Sequence, residues 1–212
     1  MIWTLVKDSR PILTAGIFWG TMSLWAPMEQ ASAANRPTPL VKAESTNPWV
    51  WKDIEGNSFD LRNANDETLT VVVFVSTDCP VANAFQPVLR NLQADHASNK
   101  VRFVQVHPTS RITVEIAKKH QSDFRIESSV ILDPEREIAK LLKAKVTPEA
   151  FLIDGTGKIL YRGRINDLYV GFGKKRRRPQ NHDLANAIQS ALDGELIETK
   201  VTKAVGCLIP QD

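Results

Sequence analysis

The sequence contains very little cysteine: Cys79 and Cys207 are the only two in 212 residues. This excludes a small scaffold held by several disulfides, and it excludes a structural zinc site with four cysteine and histidine ligands at motif spacing. An excess of one charge is also lacking, because a formal net charge of +3 is too small to indicate a nucleic-acid partner. With 42% hydrophobic and 24% charged residues, the composition is that of a globular protein with one core.

A long hydrophobic run is absent too, since the apolar stretch at residues 12–27 is shorter than the roughly 20 residues that span a bilayer. Lys7 and Arg10 precede this stretch, and residues 31–33, Ala-Ser-Ala, form a cleavage pattern. An uncleaved anchor is the alternative. We predict that residues 1–33 are a secretory signal peptide, and that the mature protein has no membrane span and is periplasmic or secreted. Thiols in that oxidising compartment tend to form disulfides or working redox groups.

The rest of the chain predicts one domain, residues 49–193, between a flexible lead-in at residues 34–48 and a C-terminal tail at residues 194–212 that carries the second cysteine. Apolar periodicity predicts a hairpin over residues 49–61 and strands over residues 69–75, 101–106, 129–132, 150–153 and 158–164. It also predicts four helices: one that begins at residue 79 or 80, and three over residues 113–122, 135–142 and 183–192. Asn181 is the expected cap of the last helix, and Gly194 its expected end. The predicted fold class is α/β, with a central mixed sheet and helices on both faces.

The clearest chemical signal is Cys79, which lies between a buried strand and a helix in the sequence Thr77-Asp78-Cys79-Pro80. The unpaired backbone N–H groups and the dipole at a helix N-terminus favour a thiolate at this position. A buried, inert cysteine is the alternative interpretation. We predict a reactive thiol.

A second feature, Thr147-Pro148, precedes the strand at residues 150–153, and an X-Pro bond at such an entry can be cis. Together these residues resemble the thioredoxin-like superfamily, in particular its redoxin branch of AhpC/TSA and TlpA-like proteins, over about residues 49–192. The resemblance implies a three-layer sandwich in which Cys79 is the first active-site cysteine, Pro87 kinks the active-site helix and Pro148 is the cis-proline facing the thiol. Residues 161–165, 182–184 and 206–209 also resemble exported bacterial redoxin proteins.

The sequence departs from this family at Ala82, which stands where a Cys-x-x-Cys motif has its second cysteine. Thiol–disulfide exchange needs a resolving thiol, and Cys207 is the only candidate. The wide spacing resembles that of two-cysteine peroxiredoxins. We therefore expect a thiol–disulfide oxidoreductase or a thiol-dependent antioxidant without cofactor or metal, with Cys79 as the nucleophile and Cys207 as a possible resolving thiol. Thr77 is expected to hydrogen-bond the sulfur, and Pro148 to shape access.

The expected partners are protein thiols or disulfides, or a peroxide, together with an external reductant. A peroxidase would oxidise the first thiol to a sulfenic acid, which would condense with the second. Arg162 or Arg164 could stabilise its thiolate. The threonine of the peroxiredoxin motif, however, lies three residues before the cysteine, whereas Thr77 lies two before Cys79.

Two further interpretations stay open. Residues 77–80 also resemble the start of the copper-binding loop of Sco-type assembly proteins, but Asn83 stands where their second cysteine lies, and the sequence shows no convergence of His107, His120 and His182. The other alternative is a non-catalytic binding module in which Cys79 and Cys207 form a permanent structural disulfide. Five consecutive basic residues, 174–178, are interpreted as a solvated loop.

Overall fold

The computed structural model describes residues 47–62, 68–97, 100–171 and 173–210. The predicted signal peptide and nearly all of the predicted lead-in lie outside these residues. None of the helices within them is long and apolar enough to cross a membrane.

The described residues form short strands and four helices in an alternating order. In chain order they are β1 (Val50–Lys52), β2 (Ser58–Asp60), β3 (Leu69–Phe74), α1 (Pro80–Asp95), β4 (Val101–His107), α2 (Val114–Phe124), β5 (Ser129–Leu132), α3 (Glu137–Leu142), β6 (Val146–Thr147), β7 (Glu149–Ile153), β8 (Ile159–Gly163), β9 (Tyr169–Gly171), β10 (Lys174–Lys175), α4 (Asp183–Leu192) and β11 (Cys207–Leu208).

Five of these strands form the central sheet, in the order β5-β4-β3-β7-β8. The central strand β3 runs parallel to β4 and antiparallel to β7, so the sheet is mixed as predicted. All six side chains of β3 are buried, because helices cover both faces of the sheet. The tight turn between β7 and β8 depends on Gly157, whose φ of +94° lies in the left-handed region that glycine tolerates.

The two faces of the sheet follow from the alternation of side chains along β3. Val71 and Val73 face α1 and α4, whereas Val72 and Phe74 face α3. The first cluster includes Phe85, Leu89, Leu184 and Ile188 from the helices, and the second includes Ile138 and Leu142. The structure therefore confirms the predicted α/β fold with helices on both sides.

The N-terminal hairpin is also confirmed. β1 and β2 pair antiparallel, and the turn between them is closed by a hydrogen bond from the Asp53 N–H to the Asn57 carbonyl oxygen, 3.0 Å. Phe59 and Leu61 bury their side chains in the cluster on the α3 face of the sheet.

One predicted helix cap is wrong. The N-cap of α4 is His182, which makes no side-chain cap hydrogen bond. Asn181 instead binds Asp167: its N–H donates to Asp167 Oδ1, 3.0 Å, and its Nδ2 donates to Asp167 Oδ2, 3.1 Å. Because Asn181 is bound to the carboxylate of Asp167, its side chain does not cap α4.

The C-terminal tail, which has no regular pattern in the sequence, is tied to the domain at two places. Thr202 N–H donates to the Arg162 carbonyl oxygen of β8, 3.0 Å, and the Tyr161 hydroxyl lies 2.6 Å from Thr202 Oγ1. Further along, β11 pairs antiparallel with β6, and Ile209 is only 3% exposed, in the cluster on the α3 face. The tail thus crosses from the edge strand to the end of the sheet where α1 begins.

Candidate functional site

Cys79 lies at the junction of β3 and α1, where the sequence predicts it. Its backbone is extended (φ −88°, ψ 108°), and the helix begins at Pro80, which suits a first helical position because it has no N–H to satisfy. The side chain of Cys79 is 1% exposed, so this sulfur is buried.

The Thr147–Pro148 peptide faces this sulfur and is cis, as the family resemblance implies. Cys79 Sγ lies 2.9 Å from the Thr147 carbonyl oxygen and donates its S–H to that oxygen when the thiol is protonated. Residues 79 and 147 are brought together by the antiparallel pairing of β3 with β7, which places the end of β3 beside the start of β7.

Cys207 reaches the same place from the tail. In the β6–β11 pair it lies opposite Thr147, and both its thiol and its backbone N–H form hydrogen bonds with the Cys79 sulfur. Both cysteines are free thiols. Only glycine fits at position 206, because a Cβ there would overlap the Thr147 carbonyl group. The tail therefore passes in direct contact with the cis peptide, and it brings the two sulfurs of one chain together.

The two thiols differ in electrostatics. Burial raises the pKa of Cys79, but hydrogen bonds from the Cys207 thiol, the Ala82 N–H, Thr147 and the Cys207 N–H outweigh it, so that the net pKa of Cys79 is lowered. Burial, the hydrogen bond to Cys79 and repulsion by its charge raise the pKa of Cys207 to about 11. Of the two thiols, Cys79 therefore loses its proton first, and Cys207 keeps its proton to higher pH.

The predicted hydrogen bond from Thr77 to the sulfur is not found. Thr77 Oγ1 donates to Asp78 Oδ1, 3.3 Å, at an exposed position. Thr77 contributes its backbone carbonyl instead, which accepts a hydrogen bond of 2.8 Å from Asn83 Nδ2. Asn83 Oδ1 in turn lies 2.9 Å from His120 Nε2. Because the amide group donates to Thr77, its oxygen must accept from the Nε2–H of His120.

This chain of contacts continues to a second histidine. The rings of His107 and His120 are 5.5 Å apart between centroids, in an edge-to-face arrangement. Burial, and then the neighbouring His120, lower the pKa of His107 to about 3, so both the burial and the contact favour its neutral form. The two histidines therefore converge behind the cysteine loop, which the sequence does not indicate.

The copper interpretation rests on residues that the structure uses otherwise. The side chain of Asn83 is committed to Thr77 and His120. Over the described ranges, no group of three or more histidine, cysteine or acidic side chains is arranged to hold a metal ion.

Two arginines considered as thiolate partners are bound elsewhere. Arg162 forms an ion pair of 2.8 Å with Glu149, and Arg164 forms one of 2.8 Å with Asp183. The negative charge on the Cys79 sulfur is stabilised by backbone and thiol donors rather than by a guanidinium group.

A shallow depression lies over the packed cluster that contains Cys79. It is lined by Phe85, Pro148, Tyr169 and Val205, together with Arg164, Ile165 and Asn166. Phe85 and Ile165 belong to the same cluster as Cys79, and Tyr169 and Cys207 pack against it. The two cysteines do not line the depression, but a molecule bound there would lie close to them.

The sequence model of the AhpC/TSA family matches residues 38–162 of this chain. The chain belongs to the AhpC/TSA family. The match contains Cys79 and Pro148 but ends before the tail, so the family assignment by itself includes only one of the two cysteines. No curated protein matches the sequence.

Two solved structures resemble this chain over more of its length than the AhpC/TSA match, and a third resembles it over about half. An uncharacterised conserved protein from Geobacillus kaustophilus is 22% identical, and the alignment covers 82% of this chain and 93% of that one with a TM-score of 0.67. A hypothetical protein from Sinorhizobium meliloti 1021 is 25% identical, with 82% and 95% covered and a TM-score of 0.66. A secreted Mycobacterium tuberculosis disulfide oxidoreductase is 20% identical over 53% of this chain and 80% of that one, with a TM-score of 0.45.

Several contributors to the site could not be found from motifs. The donors to the sulfur include the backbone N–H groups of Ala82 and Cys207, which carry no sequence signal of their own. Asn83 stands at a position that the sequence marks only by comparison with copper-binding proteins. Gly206 is marked in the sequence only as part of residues 206–209, which resemble exported bacterial redoxin proteins.

Proposed function

We propose that this protein is an exported thiol–disulfide oxidoreductase whose redox centre is Cys79 and Cys207 of the same chain. The observation that carries the proposal is that Cys207 lies opposite Thr147, whose carbonyl oxygen is 2.9 Å from Cys79 Sγ, and packs against the cluster that contains Cys79. Cys207 supplies, from the tail, the second thiol that Ala82 cannot supply from the helix. The leader pattern of residues 1–33 supports export. Export would place the pair in an oxidising compartment, where disulfides form and persist.

In this proposal the pair oxidises a protein dithiol in two steps. A client thiolate attacks the Cys79–Cys207 disulfide, one cysteine leaves as a thiolate, and a mixed disulfide forms. The second client thiolate then attacks the client's own sulfur, and the remaining cysteine leaves and takes up a proton. The client gains a disulfide and loses two electrons, and both cysteines of this protein are reduced. The reverse sequence reduces a client disulfide.

The burial of Cys79 determines which of the two sulfurs a client thiolate attacks. Cys79 is 1% exposed and lies in the cluster that contains Val75, Ala82 and Ala150, whereas Cys207 is partly exposed. Attack must come in line with the S–S bond, from the side opposite the leaving sulfur. Cys79 is closed to solvent, whereas Cys207 is partly exposed, so exposure favours Cys207 as the sulfur under attack. We therefore assign client contact to Cys207, and Cys79 becomes the leaving group.

The acidity of the two thiols supports the same order. A thiol of low pKa leaves faster in exchange, and the hydrogen bonds to Cys79 lower its pKa while that of Cys207 is raised. Cys79 accepts the electron pair as a thiolate that the Ala82 N–H already faces. When the reduced pair is oxidised again, the same thiolate is the internal nucleophile that attacks Cys207 in the mixed disulfide.

The test of the redox pair is a titration in buffers of reduced and oxidised glutathione, followed by alkylation and mass spectrometry. We expect a reversible Cys79–Cys207 disulfide that equilibrates within the range of the buffer, and oxidation of a reduced dithiol peptide that is lost in both Cys79→Ser and Cys207→Ser. A disulfide that resists reduction below about −300 mV would indicate a structural link instead. Failure of the two cysteines to pair would refute the proposal.

The order of the sulfurs has its own measurement. The oxidised wild-type protein is mixed with a peptide that has a single cysteine, quenched with iodoacetamide and digested. We expect the peptide on Cys207 and the carbamidomethyl group on Cys79 in at least a tenfold excess over the reverse, which is about 1.4 kcal/mol. Equal labelling, or the peptide on Cys79, would overturn the order without affecting the pair.

Hydrogen peroxide is a second candidate for the oxidant of the pair, favoured by the adjacency of Cys207 to Cys79. Attack of the Cys79 thiolate on peroxide would give a sulfenic acid and hydroxide, and condensation with the Cys207 thiol would give the disulfide and water. We expect a Cys79 sulfenic acid that a dimedone reagent traps in Cys207→Ser and not in the wild type. Peroxide consumption that is unchanged in Cys79→Ser would exclude this reaction.

A further inference from the structure

We propose that the depression beside the thiol pair and the basic segment at its rim form a docking surface for an acidic polypeptide segment that carries the cysteines of the client. The basic segment is residues 174–178, Lys-Lys-Arg-Arg-Arg. This inference rests on the proposed exchange activity and adds the chemical class of its partner.

The geometry places the basic segment next to the depression. Tyr169 lines the depression and contacts Phe85, with 5.7 Å between ring centroids. Lys175 pairs with Tyr169 across the β9–β10 hairpin, and its Nζ lies 5.7 Å from the centre of the tyrosine ring. The hairpin therefore connects the apolar floor of the depression to the cationic segment.

The charge of the segment is largely uncompensated within the described part of the chain. All five of its side chains are exposed. Arg176 forms an ion pair of 3.4 Å with Asp167, but no carboxylate in the described ranges pairs with Lys174, Arg177 or Arg178. Like charges next to one another repel, so an anionic partner would relieve this repulsion and be attracted over a distance of about one Debye length, roughly 8–10 Å in physiological salt.

The shape of the site favours a polypeptide as the partner. Phe85, Pro148, Tyr169 and Val205 offer apolar contact, and the client must also bring a sulfur to Cys207, two residues beyond Val205. An extended segment with its cysteine over Val205 and acidic residues toward the β9–β10 hairpin satisfies both requirements. Apolar contact near the thiols would hold the segment, and the basic rim would select its charge.

The experiment compares three single-cysteine peptides whose flanking residues are acidic, neutral or basic, each reacting with the oxidised full-length mature protein. The readout is the rate of mixed-disulfide formation in wild type and in the triple variant Lys174→Gln/Arg177→Gln/Arg178→Gln. For any one peptide, the ratio of the two rates cancels the intrinsic reactivity of its thiol. The matched control is Lys52→Gln/Lys100→Gln/Lys158→Gln, which removes three exposed cations from the hairpin β1–β2 and from the opposite end of the sheet.

We expect the triple variant to slow the acidic peptide by about tenfold at low ionic strength and by less than about twofold at 0.5 M salt, because exposed charges are screened. The basic peptide should react somewhat faster with the variant, and the control should react like the wild type. Equal slowing by the control, or the same ratio for all three peptides, would overturn the docking surface.

Two other outcomes are distinguished by the same materials. If no peptide forms a mixed disulfide with the wild type, the proposed exchange activity is refuted. If the wild type binds vesicles of phosphatidylglycerol and phosphatidylcholine, the triple variant does not, and the three peptides react alike, then the basic segment serves a membrane surface and the polypeptide partner is refuted.

Discussion

At the scale of single residues, the Cys79 sulfur combines burial with a lowered pKa, although burial by itself raises the pKa of a thiol. The donors that reconcile them come from three places: the start of α1, the β6–β7 junction and the tail. Removing a donor should therefore change the titration of the sulfur without moving the helix.

The first prediction concerns the thiol donor. Cys207→Ala should raise the pKa of Cys79, because it removes the side-chain hydrogen bond that does most to offset burial, whereas Cys207→Ser should raise it less because the hydroxyl can still donate. The measurement is thiolate absorbance at 240 nm against pH. In the wild type, a first thiolate should form below the range of a free cysteine, and the second should require a pH near 11. Titration of both thiols together near the value of a free cysteine would contradict this.

A second residue-scale prediction concerns Asn83, which joins the cysteine loop to α2. Asn83→Ala leaves the Thr77 carbonyl and the Nε2–H of His120 without their partner. We expect the free energy of unfolding to fall by about 1–3 kcal/mol, measured by urea denaturation. Asn186→Ala, at an exposed position of α4, is the control and should change it by less than about 0.5 kcal/mol. An equal change in the free energy of unfolding in the two variants would show that the side chain of Asn83 does not stabilise the fold through these hydrogen bonds.

At the scale of elements, β11 acts as a cover over the active-site cysteine. Two residues of strand pairing hold it at Val146 and Thr147, the Ile209 N–H donates to the Lys145 carbonyl oxygen, 2.9 Å, and the buried Ile209 side chain anchors its end. The same contacts that bring Cys207 to Cys79 also exclude solvent from Cys79.

This arrangement predicts the effect of Gly206→Ala. The added Cβ collides with the Thr147 carbonyl group, so β11 must move away from β6. We expect the rate of Cys79 alkylation to rise by at least about tenfold and disulfide formation to be impaired. Gly171→Ala is the control, because a Cβ there meets only the end of the Lys174 side chain, 3.9 Å away. Unchanged alkylation of Cys79 in Gly206→Ala would show that the tail does not cover the sulfur.

At the scale of the whole molecule, oxidation of the pair would close a loop of 128 residues. The chain-entropy account of disulfides then predicts a gain of roughly 3–5 kcal/mol in the free energy of unfolding. For a protein of this size, the melting temperature should rise by roughly 6–20 °C on oxidation. Calorimetry of the oxidised and the dithiothreitol-reduced protein measures the shift, and Cys207→Ser should show none. A lower melting temperature of the oxidised form would indicate strain in place of stabilisation.

The elements of the domain could be predicted from the sequence to within a few residues. β3, β5 and α4 follow from continuous or periodic apolar patterns, since each pattern reflects how neighbouring residues share one face. The prediction that Asn181 caps α4 is wrong because a cap depends on competition for its hydrogen bonds, and the competitor, Asp167, is 14 residues away. The prediction that Thr77 bonds the sulfur fails because its hydroxyl donates to the adjacent Asp78, and spacing does not encode the direction of a side chain.

The class of fold, and the position of one thiol between a buried strand and the start of a helix, follow from the order of residues alone, because periodicity and helix capping act over a few neighbouring residues. The contact of Cys207 with Cys79, the burial of Cys79 by the tail, and the two histidines behind it become visible only in the folded chain. These contacts join segments far apart in the chain. They exist because the pairing of β11 with β6 and the burial of Ile209 outweigh the freedom of an otherwise irregular tail.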